Sequence, residues 1–201
     1  MILIDGVVGC GKTTLGKQLA KYMDIPLYEE LQKDYTMNLL ERFYADKKRW
    51  AFTLQIHFLN ERFRMIKEIS ESGELAFLDR SIFGDRIFAS MLNEDGFMTD
   101  EEYETYSTLL DNMLEHVSKP QKLVYIHCDV DTAVERIQLR GRGMEQSTPV
   151  HYWKRLNEKY NEWYEKYDLS EKVVIDARSY NPFKEEDILK VIEKINIQMP
   201  V

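Results

Sequence analysis

The sequence predicts an α/β fold, with a mainly parallel sheet covered by helices on both faces. Short apolar segments alternate along the chain with longer segments of helical periodicity, as in chains built from βαβ units. The first apolar segment also runs directly into a glycine-rich loop and then into a helical segment. Both features are typical of a sheet whose neighbouring strands run parallel.

The apolar segments are predicted to be short buried strands, separated by helices. The strands are expected at residues 2–4, 26–29, 75–78, 122–127 and 173–176. The helices are expected at residues 13–23, 46–72, 85–92, 100–117, 132–139, 151–167 and 185–197. Gly73 is expected to end the long helix and Thr99 to cap a later one. Residues 93–96 and 141–149 are the predicted mobile loops.

Length and composition indicate one globular domain over residues 1–201, with 44% hydrophobic and 31% charged residues. No apolar run approaches the roughly 20 residues of a membrane helix, and Met1 leads straight into the first strand, so we expect a cytoplasmic protein without a membrane partner. A net charge of -8 argues against binding to a nucleic acid polymer. Cys10 and Cys128 form no metal or redox motif, which fits a reducing compartment.

The glycine-rich loop satisfies the pattern G-x-x-x-x-G-K-[ST] between a strand and a helix, which is the context that the motif requires. We call it the phosphate loop; it comprises Gly6, Val7, Val8, Gly9, Cys10, Gly11, Lys12 and Thr13. Glycines allow several backbone N–H groups to converge on an anion at the helix N-terminus. Lys12 would then reach the β- and γ-phosphates, and the Thr13 hydroxyl would join a Mg²⁺ shell. We therefore expect a bound nucleoside triphosphate.

A metal-binding carboxylate is predicted at Asp79, which follows the apolar segment 75–78. A carboxylate at such a strand end can order Mg²⁺ or its waters beside a phosphate loop, although it can also simply cap the next helix. Farther along, Arg136, Arg140 and Arg142 form an arginine-rich segment that we call the arginine lid. Next to a phosphate loop, such a cluster is expected to stabilise a transferring phosphoryl group.

The predicted acceptor site begins with a carboxylate after the second strand. Glu30 could accept the proton of a hydroxyl that attacks the γ-phosphate, and the adjacent Glu29 could do so instead. Tyr44, Gln55 and Arg62 would share one helix face if a single helix continued through residue 46. A buried amide suits hydrogen bonding to a base edge, so together these residues suggest a nucleoside. The guanine-reading Asn-Lys-x-Asp motif of GTPases is missing.

With these segments in order, the chain resembles the deoxynucleoside kinase family, particularly its bacterial deoxyadenosine kinase-like branch. The segments that carry the resemblance are GVVGCGKTT, YEELQ, WAFTLQIHFLNERF, LDRSIFGDRIF and ERIQLRGRGMEQ. The resemblance covers essentially the whole chain. It implies a P-loop kinase fold with a five-stranded parallel sheet and an arginine-rich lid, and a homodimer built through helices. The implied activity is transfer of the γ-phosphoryl group of ATP, with Mg²⁺, to the 5′-hydroxyl of a deoxynucleoside in nucleotide salvage.

The resemblance also implies roles for individual residues. Glu30 would activate the 5′-hydroxyl and Arg80 would hold that region in place, whereas Tyr44 and Glu145 would bind the sugar 3′-hydroxyl. Gln55 would pair with the base, in a pocket shaped by Arg62 and Asp85. ATP would be bound by the phosphate loop, by Thr14 and by the arginine lid, and the metal by Thr13 and Asp79.

Within this resemblance the predicted substrate is deoxyadenosine, with deoxycytidine or deoxyguanosine as further acceptors. Two alternatives stay open. A nucleoside monophosphate kinase of the thymidylate kinase type shares the phosphate loop and the lid but needs positive charge over the acceptor's phosphate, where this chain has Glu30. A regulatory module that binds ATP without catalysis is the other.

Overall fold

Five parallel strands form one sheet in the order β2-β3-β1-β4-β5, in a computed structural model that describes residues 1–30 and 34–197. The strands are β1 Ile2–Asp5, β2 Leu27–Tyr28, β3 Phe77–Asp79, β4 Lys122–His127 and β5 Glu171–Asp176. The predicted five-stranded parallel sheet is therefore confirmed. The first three residues of the central strand β1, Ile2, Leu3 and Ile4, are apolar and completely buried because helices cover both faces of the sheet.

Helices occupy most of the remaining described chain. They are α1 Lys12–Met23, α2 Asp34–Ala45, α3 Lys47–Ser72, α4 Arg86–Glu94, α5 Asp100–Leu114, α6 Val130–Arg140, α7 Gly143–Gln146, α8 Val150–Lys166 and α9 Glu185–Ile195. A short 3₁₀ turn, Ile82–Gly84, joins β3 to α4. No helix in the described ranges is long and apolar enough to cross a membrane.

The strand order places a crevice above β1. The strands β2 and β3 lie on one side of β1, whereas β4 and β5 lie on the other. At such a change of direction the loops that follow the strands separate and leave a ligand-binding crevice at the carboxyl ends. The phosphate loop after β1 and the segment after β3 both open into this crevice, and the backbone N–H of Arg80 donates to the Ile4 carbonyl at 3.1 Å.

The helix expected over residues 46–72 is confirmed as α3, but it does not continue back through residue 46, and the helix α2 before it was not predicted. The helical backbone is interrupted at Asp46, between α2 and α3. The Asp46 side chain caps α3 by accepting a hydrogen bond from the Arg49 backbone N–H at 3.1 Å. Tyr44 therefore lies on α2, and it does not share a continuous helix face with Gln55 and Arg62 on α3.

Both predicted mobile loops contain helix. The helix α4 continues through Glu94, so only Asp95 and the residues after it form the turn into α5. Residues 143–146 form the short helix α7. The predicted caps are confirmed, because Thr99 and Glu102 form a reciprocal capping box at the start of α5 and Gly73 ends α3 in a left-handed conformation.

Glycine is required in the phosphate loop for two reasons, a positive φ and close backbone contact. Gly9 has φ 84°, and a Cβ at this position would collide with the carbonyl oxygen of Ala133 in α6. Gly73 also has a positive φ, 69°, but a Cβ there would meet nothing within 4 Å. The packing of α6 on the phosphate loop therefore depends on Gly9 in a way that the end of α3 does not depend on Gly73.

We expect Gly9→Ala to lower the free energy of unfolding more than Gly73→Ala does. Gly73→Ala should cost about 1 kcal/mol, the strain of a left-handed alanine, whereas Gly9→Ala adds a clash with rigid backbone. Urea denaturation of both variants measures the difference. Equal losses would contradict the close packing of α6 against the loop.

Candidate active site

A cleft of about 920 Å³ opens above the carboxyl ends of β1, β2 and β3. Its walls come from the phosphate loop, α2, α3, the arginine lid and the loop after β5. The residues predicted as site residues that line it are Val8, Gly9, Gly11, Lys12, Thr13, Thr14, Glu29, Glu30, Tyr44, Gln55, Arg62, Asp79, Arg80, Arg136, Arg140, Arg142 and Glu145. Gly6, Val7, Cys10 and Asp85 lie behind this surface.

The phosphate loop holds its lysine within the loop. The Lys12 ammonium group donates to the carbonyl oxygens of Gly6 and Val7, both at 2.9 Å, and only 7% of the residue is exposed. The loop precedes the N-terminus of α1, where unpaired backbone N–H groups and the helix dipole attract anions. This end of the cleft is thus suited to a phosphate chain.

A pair of oxygen ligands lies beside Lys12. The Thr13 hydroxyl donates to Asp79 Oδ2, whereas Asp79 Oδ1 is buried and has no hydrogen-bond partner in the described chain. Burial raises the pKa of Asp79, and the nearby Lys12 charge opposes this rise. An unpartnered carboxylate oxygen next to a hydroxyl suits a hard divalent cation that takes its remaining ligands from phosphates and water. Thr13 and Asp79 therefore fit Mg²⁺.

Glu30 lies between two arginines in the wall of the cleft. Its Oε1 pairs with Arg62 Nη2, and its Oε2 accepts from Arg80 Nε at 2.9 Å. Burial acts to raise the pKa of Glu30, but the positive charges of Arg62 and Arg80 outweigh it and hold that pKa below its usual value. Glu30 is therefore ionised at neutral pH, and its carboxylate lies in the same cleft as the phosphate loop.

Glu29 lies in a different environment from Glu30. Its carboxylate forms an ion pair with Lys17 at 2.9 Å, and 26% of the Glu29 side chain is exposed, compared with 15% for Glu30. The Lys17 side chain is itself 58% exposed, so this pair belongs to the rim of the cleft. Leu31 and Gln32, which follow Glu30 in the resemblance, lie outside the described residues.

Arg62 connects Glu30 to a second buried carboxylate. Its Nη1 pairs with Asp85 Oδ1, and Arg62 and Asp85 are only 4% and 1% exposed. The guanidinium carbon lies 5.0 Å from the centre of the Phe58 ring. A guanidinium held between two carboxylates and over an aromatic ring has one fixed orientation, so it can present donors to a ligand at a defined place.

Arg80 is held from several sides and has an unusual backbone conformation. Its φ is 66°, which costs energy in a residue other than glycine and is typical of functional sites. The guanidinium donates to the Tyr160 hydroxyl and lies 5.1 Å from the centre of the Phe88 ring. These contacts direct the Arg80 side chain toward Glu30.

Tyr44 and Glu145 both line the cleft, and they lie close enough for the charge of Glu145 to act on Tyr44. The Tyr44 hydroxyl is in hydrogen-bonding contact with Thr148, and burial, followed by the neighbouring Tyr152 and Glu145, raises the pKa of Tyr44. The phenol is therefore protonated and can donate a hydrogen bond. Gln55, which is 4% exposed, lines the same cleft from α3.

The arginine lid divides into two parts. Arg136 donates to the carbonyl oxygens of Cys10 and Ala177, each at 3.0 Å, and thereby joins the phosphate loop to the end of β5. Arg140 pairs with Glu145 Oε2, and Arg142 Nη1 lies 3.5 Å from Glu145 Oε1. The three predicted lid arginines thus line one cleft but contact different partners.

The sequence reasoning missed several residues of the site. Asp5, at the end of β1, is 1% exposed and accepts from the Gly6 N–H at 2.8 Å; burial raises its pKa despite the nearby Arg80. Its position was readable from the sequence, because an acidic residue at the end of a buried strand indicates a side chain near the ligand crevice. Tyr152 and the loop segment 180–183 also line the cleft. Neither belongs to a short motif, so only the folded chain reveals them.

We expect Arg62→Met to destabilise the fold by about 3 kcal/mol, because it leaves the buried Asp85 carboxylate without its cation and Glu30 with Arg80 alone. The matched control is Lys67→Met on the same helix. Lys67 is 58% exposed and lies 4.0 Å from Glu71, so its loss should cost less than about 0.5 kcal/mol. Urea denaturation compares the two variants, and equal stability would contradict the role of Arg62 as counter-ion.

Known proteins of one family match this chain over nearly its whole length. The sequence model of the deoxynucleoside kinase family matches residues 2–199. A deoxyguanosine kinase of Lactobacillus acidophilus is 41% identical over 192 residues, which cover 90% of this chain and 82% of the relative. The deoxyadenosine/deoxycytidine kinase of Bacillus subtilis is 35% identical over 195 residues, 96% of this chain and 89% of the relative.

The fold has solved counterparts. The structure of deoxyadenosine kinase from M. mycoides with bound dATP superimposes with a TM-score of 0.81 and 29% identity, covering 98% of this chain and 99% of that one. The same enzyme with the products dCMP and dCDP gives a TM-score of 0.83 over 97% and 98% of the two chains. The chain belongs to the deoxynucleoside kinase family, whose members are phosphotransferases that act on deoxynucleosides.

Proposed function

We propose that this protein transfers the γ-phosphoryl group of ATP to the 5′-hydroxyl of deoxyadenosine, with deoxyguanosine and deoxycytidine as further acceptors. The observation that carries the proposal is the Glu30 carboxylate, which lies between Arg62 and Arg80 in the cleft that also contains Lys12. A carboxylate in that position can accept the proton of a hydroxyl group. An acceptor that already carries a phosphate needs unpaired positive charge, whereas Arg62 and Arg80 are paired with Glu30 and Asp85, which counts against the thymidylate kinase type.

In the proposed reaction Glu30 accepts the proton of the 5′-hydroxyl as that oxygen attacks the γ-phosphorus. The new O–P bond forms as the bond between the γ-phosphorus and the β,γ-bridging oxygen breaks, and ADP leaves. Lys12 and the arginines of the cleft stabilise the charge on the transferring group. Mg²⁺, held by Thr13 and Asp79, would supply further neutralisation of the phosphate charge when bound.

The base pocket supports an amine-bearing base. Gln55 and Arg62 line the cleft, and Gln55 offers both a donor and an acceptor, whereas Asp85 lies behind the surface and shapes the pocket by holding Arg62. The amide oxygen of Gln55 can accept from the exocyclic amine of adenine or cytosine, or from an N–H group of guanine, and the guanidinium of Arg62 can donate to base acceptors. The relatives named for deoxyguanosine and for deoxyadenosine and deoxycytidine are compatible with this set of groups.

We also propose that residues 1–201 form one kinase domain that works as a homodimer in the cytoplasm and serves nucleotide salvage. These proposals rest on the family resemblance and on the sequence composition. Size-exclusion chromatography with light scattering tests the homodimer, and a mass of about one chain would contradict it.

A panel of acceptors tests the proposed activity. Purified protein with Mg-ATP should release ADP in the presence of deoxyadenosine, deoxyguanosine or deoxycytidine, with the highest kcat/KM for deoxyadenosine. Turnover with deoxynucleoside monophosphates alone would favour the thymidylate kinase type. No turnover with any acceptor, together with intact ATP binding, would favour a regulatory module.

Glu30→Gln tests the proposed base. It should lower kcat about 10²–10⁴-fold, as expected for loss of a general base, while the affinity for ATP stays within about twofold. Glu29→Gln is the comparison variant. A large loss in Glu29→Gln with little change in Glu30→Gln would transfer the base role to Glu29. Thermal unfolding of both variants checks that the fold is intact.

A further inference from the structure

Three aromatic rings surround the ammonium group of Lys47. Its Nζ lies 5.8 Å from the Tyr44 ring centre, 5.4 Å from that of Phe97 and 5.8 Å from that of Tyr152. Each distance is within the roughly 6 Å over which a cation is attracted to the face of a ring. The rings come from α2, from the turn before α5 and from α8, so Lys47 joins the adjacent helix α2 to two segments that are distant in sequence.

The position of Lys47 is unfavourable for a cation in other respects. It is the first residue of α3, where a positive charge opposes the helix dipole, and although the Asp46 carboxylate caps this end, the first turn itself contains no acidic residue. The neighbouring Lys48 is exposed to solvent, which screens its charge, whereas Lys47 is half-buried. Attraction of the ammonium group to the three rings offsets the unfavourable free energy of placing a half-buried cation at this helix N-terminus.

Two of the three rings belong to the cleft, although Lys47 does not. Tyr44 and Tyr152 line the cleft, and the Tyr44 hydroxyl contacts Thr148 near Glu145. Phe97 lies outside the residues that line it. Any effect of Lys47 on a bound acceptor must therefore pass through the tyrosines.

We propose that Lys47 is a positioning residue that preforms the sugar end of the acceptor site by holding Tyr44 and Tyr152 in place. This inference rests on the proposed function, because it takes Tyr44 as a contact of the deoxynucleoside. Lys47 fixes the corner between α2 and α3 against α8, so the tyrosines do not have to be ordered when the acceptor binds. Its loss weakens acceptor binding without removing a group that reacts.

The test compares Lys47→Met with Lys47→Arg, and with Lys48→Met as the control at the adjacent exposed lysine. Steady-state kinetics are measured separately for deoxyadenosine and for ATP. Lys47→Met should raise the KM for deoxyadenosine about three- to tenfold, while kcat and the KM for ATP stay within about twofold. Lys47→Arg keeps a cation that stacks on rings and should restore most of the affinity. Lys48→Met should match the wild-type protein.

Phe97→Leu tests the positioning role of Lys47 independently if Lys47→Met folds poorly. It removes one ring of the cage without touching the cleft, so it should raise the KM for deoxyadenosine in the same direction and leave the KM for ATP unchanged. Thermal unfolding of each variant separates a change in site geometry from loss of the fold.

The outcomes distinguish this inference from the proposed function. Wild-type protein without turnover of deoxynucleosides would overturn both. Active wild-type protein, with Lys47→Met and Phe97→Leu indistinguishable from Lys48→Met, would overturn the role of Lys47 alone. Equal increases in the KM for deoxyadenosine and for ATP would also overturn it, because a positioning role at the sugar end is specific to the acceptor.

Discussion

The site depends on one electrostatic arrangement, the Glu30 carboxylate between the guanidinium groups of Arg62 and Arg80. A buried carboxylate alone would take up a proton, and two buried arginines alone would repel each other and require other counter-ions. Together the three groups keep Glu30 ionised, fix both arginines and place a proton acceptor at the wall of the cleft. The balance is completed by Asp85, which pairs with the far side of Arg62.

The fold brings this arrangement together from distant parts of the sequence. Glu30 follows β2, Arg80 follows β3, and Arg62 comes from the long helix α3. Parallel pairing of β2 with β3 places the two strand ends side by side, with Tyr28 opposite Leu78. Arg80 adopts a left-handed backbone conformation, and its contacts with Tyr160 and Phe88 direct its side chain toward Glu30. The strained backbone of this one residue is thus part of the geometry of the cluster.

What the sequence predicted, and what it missed, follows from the range of each interaction. The strands, the phosphate loop and the cap at Thr99 depend on local periodicity or on residues a few positions apart, and they were predicted correctly. The start of the long helix at residue 46 was predicted, but the helix α2 before it was not. The contribution of Tyr152 was missed because it depends on the packing of α8 at the cleft, which no short motif in the sequence reveals.

The most direct test of Glu30 as the base is a crystal structure of the protein with deoxyadenosine and a non-hydrolysable ATP analogue. We expect the 5′-oxygen at hydrogen-bond distance from the Glu30 carboxylate, about 2.6–3.2 Å, and in line with the γ-phosphate held by the phosphate loop. A 5′-oxygen bound to Glu29 at the rim, or pointing away from both glutamates, would contradict it.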